Sequence, residues 1–283
     1  MGQVTVGRLR RVAARALGSR TGPRNPPAPI VREPGAARRA LLVAGHRGTC
    51  VGAPENTLAA FRRAAAAGVC AVEFDVQWTR ATADEPSQMV VIHDRTLDRT
   101  TDGTGPVAEH TWSELRRLDA GRWYGSRWAE ERLPRFEEVL AFVAGTSMRA
   151  FAELKVKEVT TEQAAAYVAA VRAAGMVGRT VASAFHTAVL GAVRDAGAGV
   201  VPTGIIEQAN PRTDANVRAR GTAYYPVTTA VAPEQVRSLR TSGVEVFGWP
   251  ARSAADYEVA AALGLDGITA DDPEDALRWV GAH

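Results

Sequence analysis

The chain has 283 residues, 46% hydrophobic and 23% charged, which is enough to bury a full core in one large α/β domain or two small ones. Its apolar runs are all shorter than the ~20 residues of a membrane-spanning helix, which excludes an integral membrane protein. The formal charge of +3 is unevenly spread, because residues 1–40 hold nine arginines and one acid while residues 41–283 carry about −5, and such an acidic body argues against nucleic-acid binding.

The first 40 residues form an Arg- and Pro-rich arm that we predict to be disordered or weakly amphipathic. Arginines alternate with small apolar residues through Arg20, and the prolines between Pro26 and Pro34 break any helix. Such a segment is typical of a solvated tail, and it also fits a transit peptide or a weak contact with an anionic membrane surface. It lacks the apolar core of a secretory signal.

From residue 41 onward, short apolar runs alternate with Ala-rich helical stretches, and no long linker divides the chain. The predicted strands are 42–44, 72–77, 89–92, 150–156, 180–184, 200–205, 224–227, 244–249 and 267–269. The predicted helices between them include 57–67, 161–174, 187–196, 233–242 and 253–263. This repetition predicts an α/β fold, a (β/α)8 TIM barrel over residues 41–283. Nine strands compete for eight places, so one is either wrong or outside the barrel.

Two connections depart from the strand-helix repeat. Only about ten polar residues separate Gln77 from Met89, too few for a crossover helix, so the second and third strands are expected to be joined irregularly. A long insertion lies between His93 and Ala150 and contains the aromatic, basic segment 122–128. A loop of this length on the catalytic face of a barrel is typical of a lid or a substrate wall.

The two cysteines, Cys50 and Cys70, are expected at opposite ends of the sheet, one just after the first strand and the other just before the second. Such positions do not favour a disulfide. We therefore predict two free thiols and a cytoplasmic protein.

Histidines follow two of the predicted strands. The apolar run 41–44 leads into His46 and Arg47, and His93 ends the run 89–92. A single histidine at a strand end is more often structural than catalytic. Because the carboxyl ends of barrel strands form one catalytic face, the two histidines are expected to meet there and to act as an acid and a base.

Carboxylates alternate with apolar residues on the second and fourth predicted strands. Residues two apart point the same way, so Glu73 and Asp75 share a face, and Glu153 and Lys155 repeat that spacing. Buried carboxylates repel each other unless a cation lies between them, and oxygen ligands favour a hard divalent ion. We predict a divalent-cation site here, with Lys155 suited to a phosphoryl oxygen. The alternatives are a solvated strand edge for the first pair and an internal ion pair for the second.

Several short motifs follow one another between about residue 42 and residue 275. They are His46-Arg47-Gly48, Pro54-Glu55-Asn56-Thr57, Glu73-Phe74-Asp75-Val76, His93 to Gly103, Leu133-Pro134, Glu153-Leu154-Lys155 and Asp266-Gly267-Ile268. Together they resemble the glycerophosphodiester phosphodiesterase family. The resemblance implies a TIM barrel of the phospholipase-C-like phosphodiesterase type that hydrolyses small glycerophosphodiesters to glycerol 3-phosphate and an alcohol.

The resemblance also implies roles, position by position. The implied roles are an acid/base pair at His46 and His93, ligands for one divalent cation, Mg²⁺ or Ca²⁺, at Glu73, Asp75 and Glu153, and contacts to phosphate or substrate at Arg47, Lys155, Glu55 and Trp249. The chain departs from the family where Trp249 is followed by Pro250, Ala251 and Arg252 instead of Thr-Val-Asn. Those positions lie toward the alcohol, so the alcohol preference stays open.

Two other functions remain possible at this point. The same site would suit a lysophospholipase D that acts on lipid-like diesters under an apolar lid built on Trp123, Tyr124 and Trp128. A non-catalytic barrel that binds a phosphodiester at a membrane surface through the basic arm is the second alternative, but none of the matching catalytic positions is lost.

Overall fold

The computed structural model describes residues 40–208, 212–219 and 221–283. The arm predicted at residues 1–40 therefore lies outside the described residues except for its last position. No helix within the described ranges is long and apolar enough to cross a membrane. Cys50 and Cys70 are both free thiols, as predicted.

Eight parallel strands close into a barrel, which confirms the predicted fold. The strands of the chain are β1 (Leu42–Gly45), β2 (Ala71–Trp78), β3 (Met89–Val91), β4 (Arg149–Leu154), β5 (Thr180–Ala184), β6 (Thr203–Glu207), β7 (Ala223–Pro226), β8 (Glu245–Ala251) and β9 (Gly267–Ala270). Each strand except β3 pairs with two parallel neighbours, and β1 closes the ring by pairing with both β2 and β9. The predicted strand positions are correct to within three residues at either end.

Helices connect the barrel strands and cover the outside of the sheet. They are α1 (Leu58–Ala67), α2 (Trp112–Leu115), α3 (Phe136–Ala144), α4 (Thr161–Ala173), α5 (Thr187–Gly197), α6 (Asp214–Arg218), α7 (Pro233–Thr241), α8 (Ala254–Leu263) and α9 (Pro273–Ala282). Their ends follow local chemistry: the Thr57 side chain accepts from the backbone N–H of Ala60 to begin α1, and Gly68 ends it in the left-handed conformation.

The strand that lies outside the barrel is β3. The prediction that His93 ends a barrel strand is therefore wrong. β3 runs antiparallel to β2, with Val91 opposite Val76 and Met89 opposite Trp78. The short connection that is too small for a crossover helix is long enough for a hairpin, which requires antiparallel strands. β2 extends three residues past Asp75, and β3 runs back along that extension until the Ile92 N–H donates to the Asp75 carbonyl. His93 therefore still follows at the level of Asp75.

The side chains of β2 alternate between two environments, as its sequence predicts. Phe74 points outward and packs against Phe61 of α1 and Phe136 of α3, with ring centroids 5.7 and 6.1 Å away. Glu73 and Asp75 take the other face and point into the barrel, where the oxygen ligands cluster with a carboxylate from β4.

An aromatic layer fills the barrel on the amino-terminal side of these carboxylates. Phe151 lies two residues before Glu153 on β4, and its ring packs edge-to-face on Tyr225 and Phe247 at 5.4 and 5.1 Å. All three side chains are buried. This layer forms a solid floor, so the polar site opens only toward the carboxyl ends of the strands.

Candidate active site

The predicted site residues converge at the carboxyl end of the barrel. One cavity of about 310 Å³ is lined by side chains from most of the barrel strands, among them those of His46, Arg47, Glu73, His93, Glu153, Lys155 and Trp249. Asp75 lies beneath its wall and is only 1% exposed. Glu55 is not among the lining residues, since it sits behind Arg47.

Three carboxylates form the centre of the site. Oxygens of Glu73, Asp75 and Glu153 lie within 4.8 Å of one another, and all three residues are buried. Burial, together with the neighbouring negative charges, raises the pKa of Glu73 well above its ordinary value and that of Glu153 to about 7. The cluster therefore holds more negative charge than its surroundings neutralise, and its all-oxygen donor set fits a hard divalent cation.

Two cations from the protein border the carboxylates. Lys155 Nζ lies 3.0 Å from Glu153 Oε1 and 3.7 Å from Asp75 Oδ1. Burial opposes ionisation of Asp75, but the positive charge of Lys155 is the main reason that its pKa is nevertheless lowered. Arg47 Nε is 3.6 Å from Asp75 Oδ2, and it is buried without a hydrogen-bond partner among the described residues. An anionic ligand would satisfy this donor.

The backbone at Arg47 is strained in a way that aims its groups into the site. Arg47 has a φ of +53°, a left-handed conformation rare for residues other than glycine, and Gly48 follows it at +80°. In this turn the Arg47 N–H donates to Glu73 Oε2 at 3.0 Å, and its guanidinium donates to Glu55 Oε1 at 2.7 Å. The strain is thus held by contacts on both the backbone and the side chain.

His46 is oriented by a carboxylate that the sequence analysis missed. Its Nδ1–H donates to Asp271 Oδ1, and its Nε2 faces the cavity 3.9 Å from Glu73 Oε2. Asp271 in turn accepts from Arg252 Nε at 2.9 Å, so Arg252, although largely exposed, is paired with a site residue and does not line the cavity. The signal was a carboxylate directly after the last strand, which is the neighbour of the first strand in a closed barrel.

His93 has the same arrangement with a different carboxylate. Its Nδ1–H donates to Asp94 Oδ1 at 2.6 Å, and its Nε2 accepts from Lys155 Nζ at 3.1 Å. Burial lowers the pKa of His93 despite the nearby charge of Asp75, which favours the neutral ring. Gln77 fixes the backbone on either side by donating to the carbonyls of Ile92 and Asp94.

The aromatic segment 122–128 does not form the expected lid. The structure describes all seven of its residues, and none of them lines the cavity or the groove beside it. The Tyr124 hydroxyl accepts from the backbone N–H of Gly52, and the segment packs on the loop between β1 and α1. The segment therefore supports that loop. It does not form an apolar lid over a lipid substrate.

The wall opposite the carboxylates is aromatic and continues into an open groove. Trp249 Nε1 donates to the carbonyl of Tyr225 at 2.7 Å, and its ring packs edge-to-face on Phe185 at 5.8 Å. Phe185 and Lys155 also line a neighbouring groove of about 530 Å³, which reaches Arg95 and His186. The cavity thus has an enclosed end beside the carboxylates and an open end beside His93.

Comparisons with known proteins agree on one family. The model of the glycerophosphoryl diester phosphodiesterase family matches residues 46–275. A glycerophosphodiester phosphodiesterase of Caldanaerobacter subterraneus is 33% identical over 244 residues, which cover 84% of this chain and 97% of that relative.

Solved structures resemble the chain in the same way. A glycerophosphodiester phosphodiesterase from Agrobacterium tumefaciens has 28% identity and a TM-score of 0.73, covering 84% of this chain and 99% of its own. An Oleispira antarctica phosphodiesterase, solved in complex with the product sn-glycerol-3-phosphate, has 25% identity and a TM-score of 0.75, covering 85% and 96%.

Proposed function

The chain belongs to the glycerophosphoryl diester phosphodiesterase family and is a glycerophosphodiester phosphodiesterase. We propose that it works by acid–base catalysis at His46 and His93 beside one divalent cation. The products are glycerol 3-phosphate and an alcohol, a proposal supported by the product bound to the Oleispira relative. The observation that carries the proposal is that two carboxylate-oriented histidines line the same cavity as a buried acidic cluster.

The cation is held by the three clustered carboxylates. Glu73, Asp75 and Glu153 offer only oxygen donors, which suits Mg²⁺ or Ca²⁺. When bound, the ion supplies positive charge against the phosphoryl oxygens of the diester. The raised pKa values of Glu73 and Glu153 support this assignment, because they show the cost of keeping the cluster ionised without a further cation.

Arg47 and Lys155 hold the phosphate of the substrate. Arg47 Nε, which has no hydrogen-bond partner among the described residues, and the ammonium group of Lys155 belong to side chains that line the cavity, and carboxylates hold both side chains in place. Charge-assisted hydrogen bonds from these groups stabilise the extra negative charge that develops on the phosphoryl oxygens. Because the site is partly closed to water, such contacts are stronger than at the surface.

The two histidines move the protons. One takes a proton from the nucleophile as its oxygen bonds to phosphorus, and the other protonates the alcohol oxygen as its bond to phosphorus breaks. The nucleophile is water, or the neighbouring glycerol hydroxyl if the reaction passes through a cyclic phosphate. In both histidines the carboxylate at Nδ1 leaves Nε2 as the proton acceptor, which faces the cavity in His46 and Lys155 Nζ in His93.

Lysophospholipase D-type hydrolysis of lipid-like diesters is a second candidate. The open groove beside His93 favours it, because an acyl chain on the glycerol half would find room there along Phe185. Turnover of lysophosphatidylcholine and of glycerophosphocholine, compared at equal concentrations, separates the two. Faster release from the lipid would favour the second candidate.

The histidine assignment is tested by release of glycerol 3-phosphate from glycerophosphocholine. His46→Ala and His93→Ala should each lower kcat by about 10²- to 10⁴-fold, the usual contribution of one proton transfer. His110→Ala is the matched control, since His110 is partly exposed, lines neither the cavity nor the groove, and bonds the carbonyl of Pro106 through Nδ1. Near-normal kcat in either active-site variant would contradict the assignment.

A further inference from the structure

Arg99 is an arginine of the long insertion that binds two carboxylates at once. Its Nε donates to Asp94 Oδ2 at 2.6 Å and its Nη2 to Asp94 Oδ1 at 3.0 Å. On its other side, Nη1 donates to Glu55 Oε2 at 2.9 Å and Nη2 to Glu55 Oε1 at 2.8 Å. Four of the five N–H groups of the guanidinium are thus directed at one of these two side chains.

Each of the two carboxylates also holds a residue of the proposed machinery. Asp94 Oδ1 accepts from His93 Nδ1 at 2.6 Å, and Glu55 Oε1 accepts from Arg47 Nη1 at 2.7 Å. The result is a continuous chain of charge-assisted hydrogen bonds from an acid/base histidine to a phosphate-holding arginine. Arg99 is its central member and touches neither the cavity nor the groove.

The electrostatics of this chain keep its carboxylates ionised. The two hydrogen bonds from Arg99 are the main reason that the pKa of Asp94 lies far below its ordinary value. Glu55 is almost fully buried, which opposes its ionisation, yet Arg99 and Arg47 lower its pKa. An ionised Asp94 keeps the proton of His93 on Nδ1, so Nε2 is an acceptor, and in this structure it accepts from Lys155 Nζ.

The aromatic segment 122–128 supports this bridge. The guanidinium carbon of Arg99 lies 5.9 Å from the ring centroid of Trp123, in a cation–π contact. A planar fork is needed to bind two carboxylates and an aromatic face together, and the point charge of a lysine does not provide it.

We propose that Arg99 is a positioning residue that fixes His93 and Arg47 at the same time, through Asp94 and Glu55. This inference rests on the proposed function of His93 and Arg47. In this role Arg99, which lies outside the substrate cavity, fixes the position of the proton-transfer side of the site relative to the phosphate-binding side. Loss of a residue that orients a functional side chain typically lowers activity by about 10- to 100-fold, and we expect a loss of that size here.

The test measures kcat and KM for glycerophosphocholine in Arg99→Gln, Arg99→Lys and Arg99→Ala. We expect kcat/KM to fall about 10- to 100-fold in all three. The kcat should fall because His93 is less well oriented, and the KM should rise because Arg47 is less well held. Added ethylguanidinium should restore part of the activity of Arg99→Ala, because it can occupy the vacated position. Arg99→Lys should recover little, since it lacks the fork.

Arg240→Gln is the matched control. Arg240 has a similar exposure and pairs with Asp266 at 3.0 Å, but at the amino-terminal end of the barrel strands. Its loss should leave kcat and KM within about twofold of the wild type while removing one ion pair outside the site.

The inference is overturned if the Arg99 variants keep kcat/KM within the range of Arg240→Gln. It is also overturned if their loss of activity follows a loss of thermal stability and ethylguanidinium restores nothing. His93→Ala measured in the same assay separates the two levels: an active His93→Ala would contradict the proposed function, whereas an inactive His93→Ala beside a fully active Arg99→Gln would contradict only the role of Arg99.

Discussion

His46 and His93 come from different parts of the barrel but are held in the same way. Each donates Nδ1–H to a carboxylate, and each carboxylate accepts from an arginine: Arg252 behind His46 and Arg99 behind His93. The carboxylate sets the tautomer and the orientation of the ring. The two histidines are therefore preorganised before substrate arrives, which in the proposed mechanism lowers the cost of reaching the reactive geometry.

Asp271 gives a direct test of this orientation. Asp271→Asn keeps the shape of the side chain but replaces a charged acceptor by an amide, so we expect kcat to fall about 10- to 100-fold with little change in KM. Steady-state kinetics with glycerophosphocholine measure both constants. Asp275→Asn is the control, because Asp275 forms an exposed ion pair with Arg278 on α9. An unchanged kcat in Asp271→Asn would show that His46 does not need its carboxylate.

Single residues differ in how well their roles can be predicted. The positions of His46, Glu73, Asp75 and Glu153 follow from strand ends and from the two-residue period of a strand. The partnership of His46 with Asp271 does not, because the two are 225 residues apart and meet only when β9 closes on β1. Local patterns carry no information on which distant carboxylate lies behind a given histidine.

Among the elements, β3 shows where periodicity stops being informative. The run Met89–Val91 has the composition of a barrel strand and ends near a histidine, but strand direction is not encoded in composition. The connection from β2 was the better signal, since a parallel neighbour needs a crossover of a dozen or more residues and a hairpin does not. The helices were easier to locate, because caps such as Thr160 with Gln163 at α4 are local.

The loop that follows α2 depends on one buried aspartate. Asp119 Oδ1 accepts from the backbone N–H groups of Gly121 and Arg122 at 2.9 and 2.8 Å, and Oδ2 accepts from that of Glu130 at 2.9 Å. Although burial opposes ionisation, these three donors lower the pKa of Asp119 to about 2. Its ionised form therefore organises the loop that carries the aromatic segment 122–128.

Asp119→Asn should loosen this loop. An amide offers one acceptor oxygen instead of two, so at neutral pH we expect a loss of about 1–3 kcal/mol in the free energy of unfolding and faster proteolysis within residues 119–131. Since the folded pKa lies below the unfolded value, the stabilisation is present above about pH 4 and disappears toward pH 2. Wild type and variant should converge there in thermal unfolding scans. A constant difference across that range would contradict the role of the charge.

For the whole molecule, the barrel between β1 and β9 holds the entire described site. The first of its polar residues is His46 and the last is Asp271, and the chain closes by pairing the strands that carry them. The fold itself could be predicted from the repetition of strands and helices. The contents of the cavity wall could not, because Phe185, Tyr225 and Trp249 come together only through the curvature of the closed sheet.

Removal of the basic arm should leave catalysis intact. Because all described site residues lie between 46 and 271, a protein without residues 1–39 should hydrolyse glycerophosphocholine with kcat and KM within about twofold of the full chain. The arm carries nine arginines, so its removal should weaken sedimentation with anionic vesicles if it contacts membranes. Full-length protein and neutral vesicles are the controls. A large loss of kcat on the soluble substrate would mean that the arm takes part in the site.

The central claim, a phosphodiesterase whose acidic cluster holds a required divalent cation, is tested most directly by titrating chelator-treated enzyme with Mg²⁺ or Ca²⁺ while glycerol 3-phosphate release is followed. We predict no turnover without cation and recovery of turnover on titration. The cation concentration for half-maximal turnover should be at least about 10-fold higher in Glu153→Gln. It should be unchanged in the control Glu109→Gln, which alters an exposed turn. Full turnover by the chelator-treated enzyme, or identical titrations for the two variants, would contradict the claim.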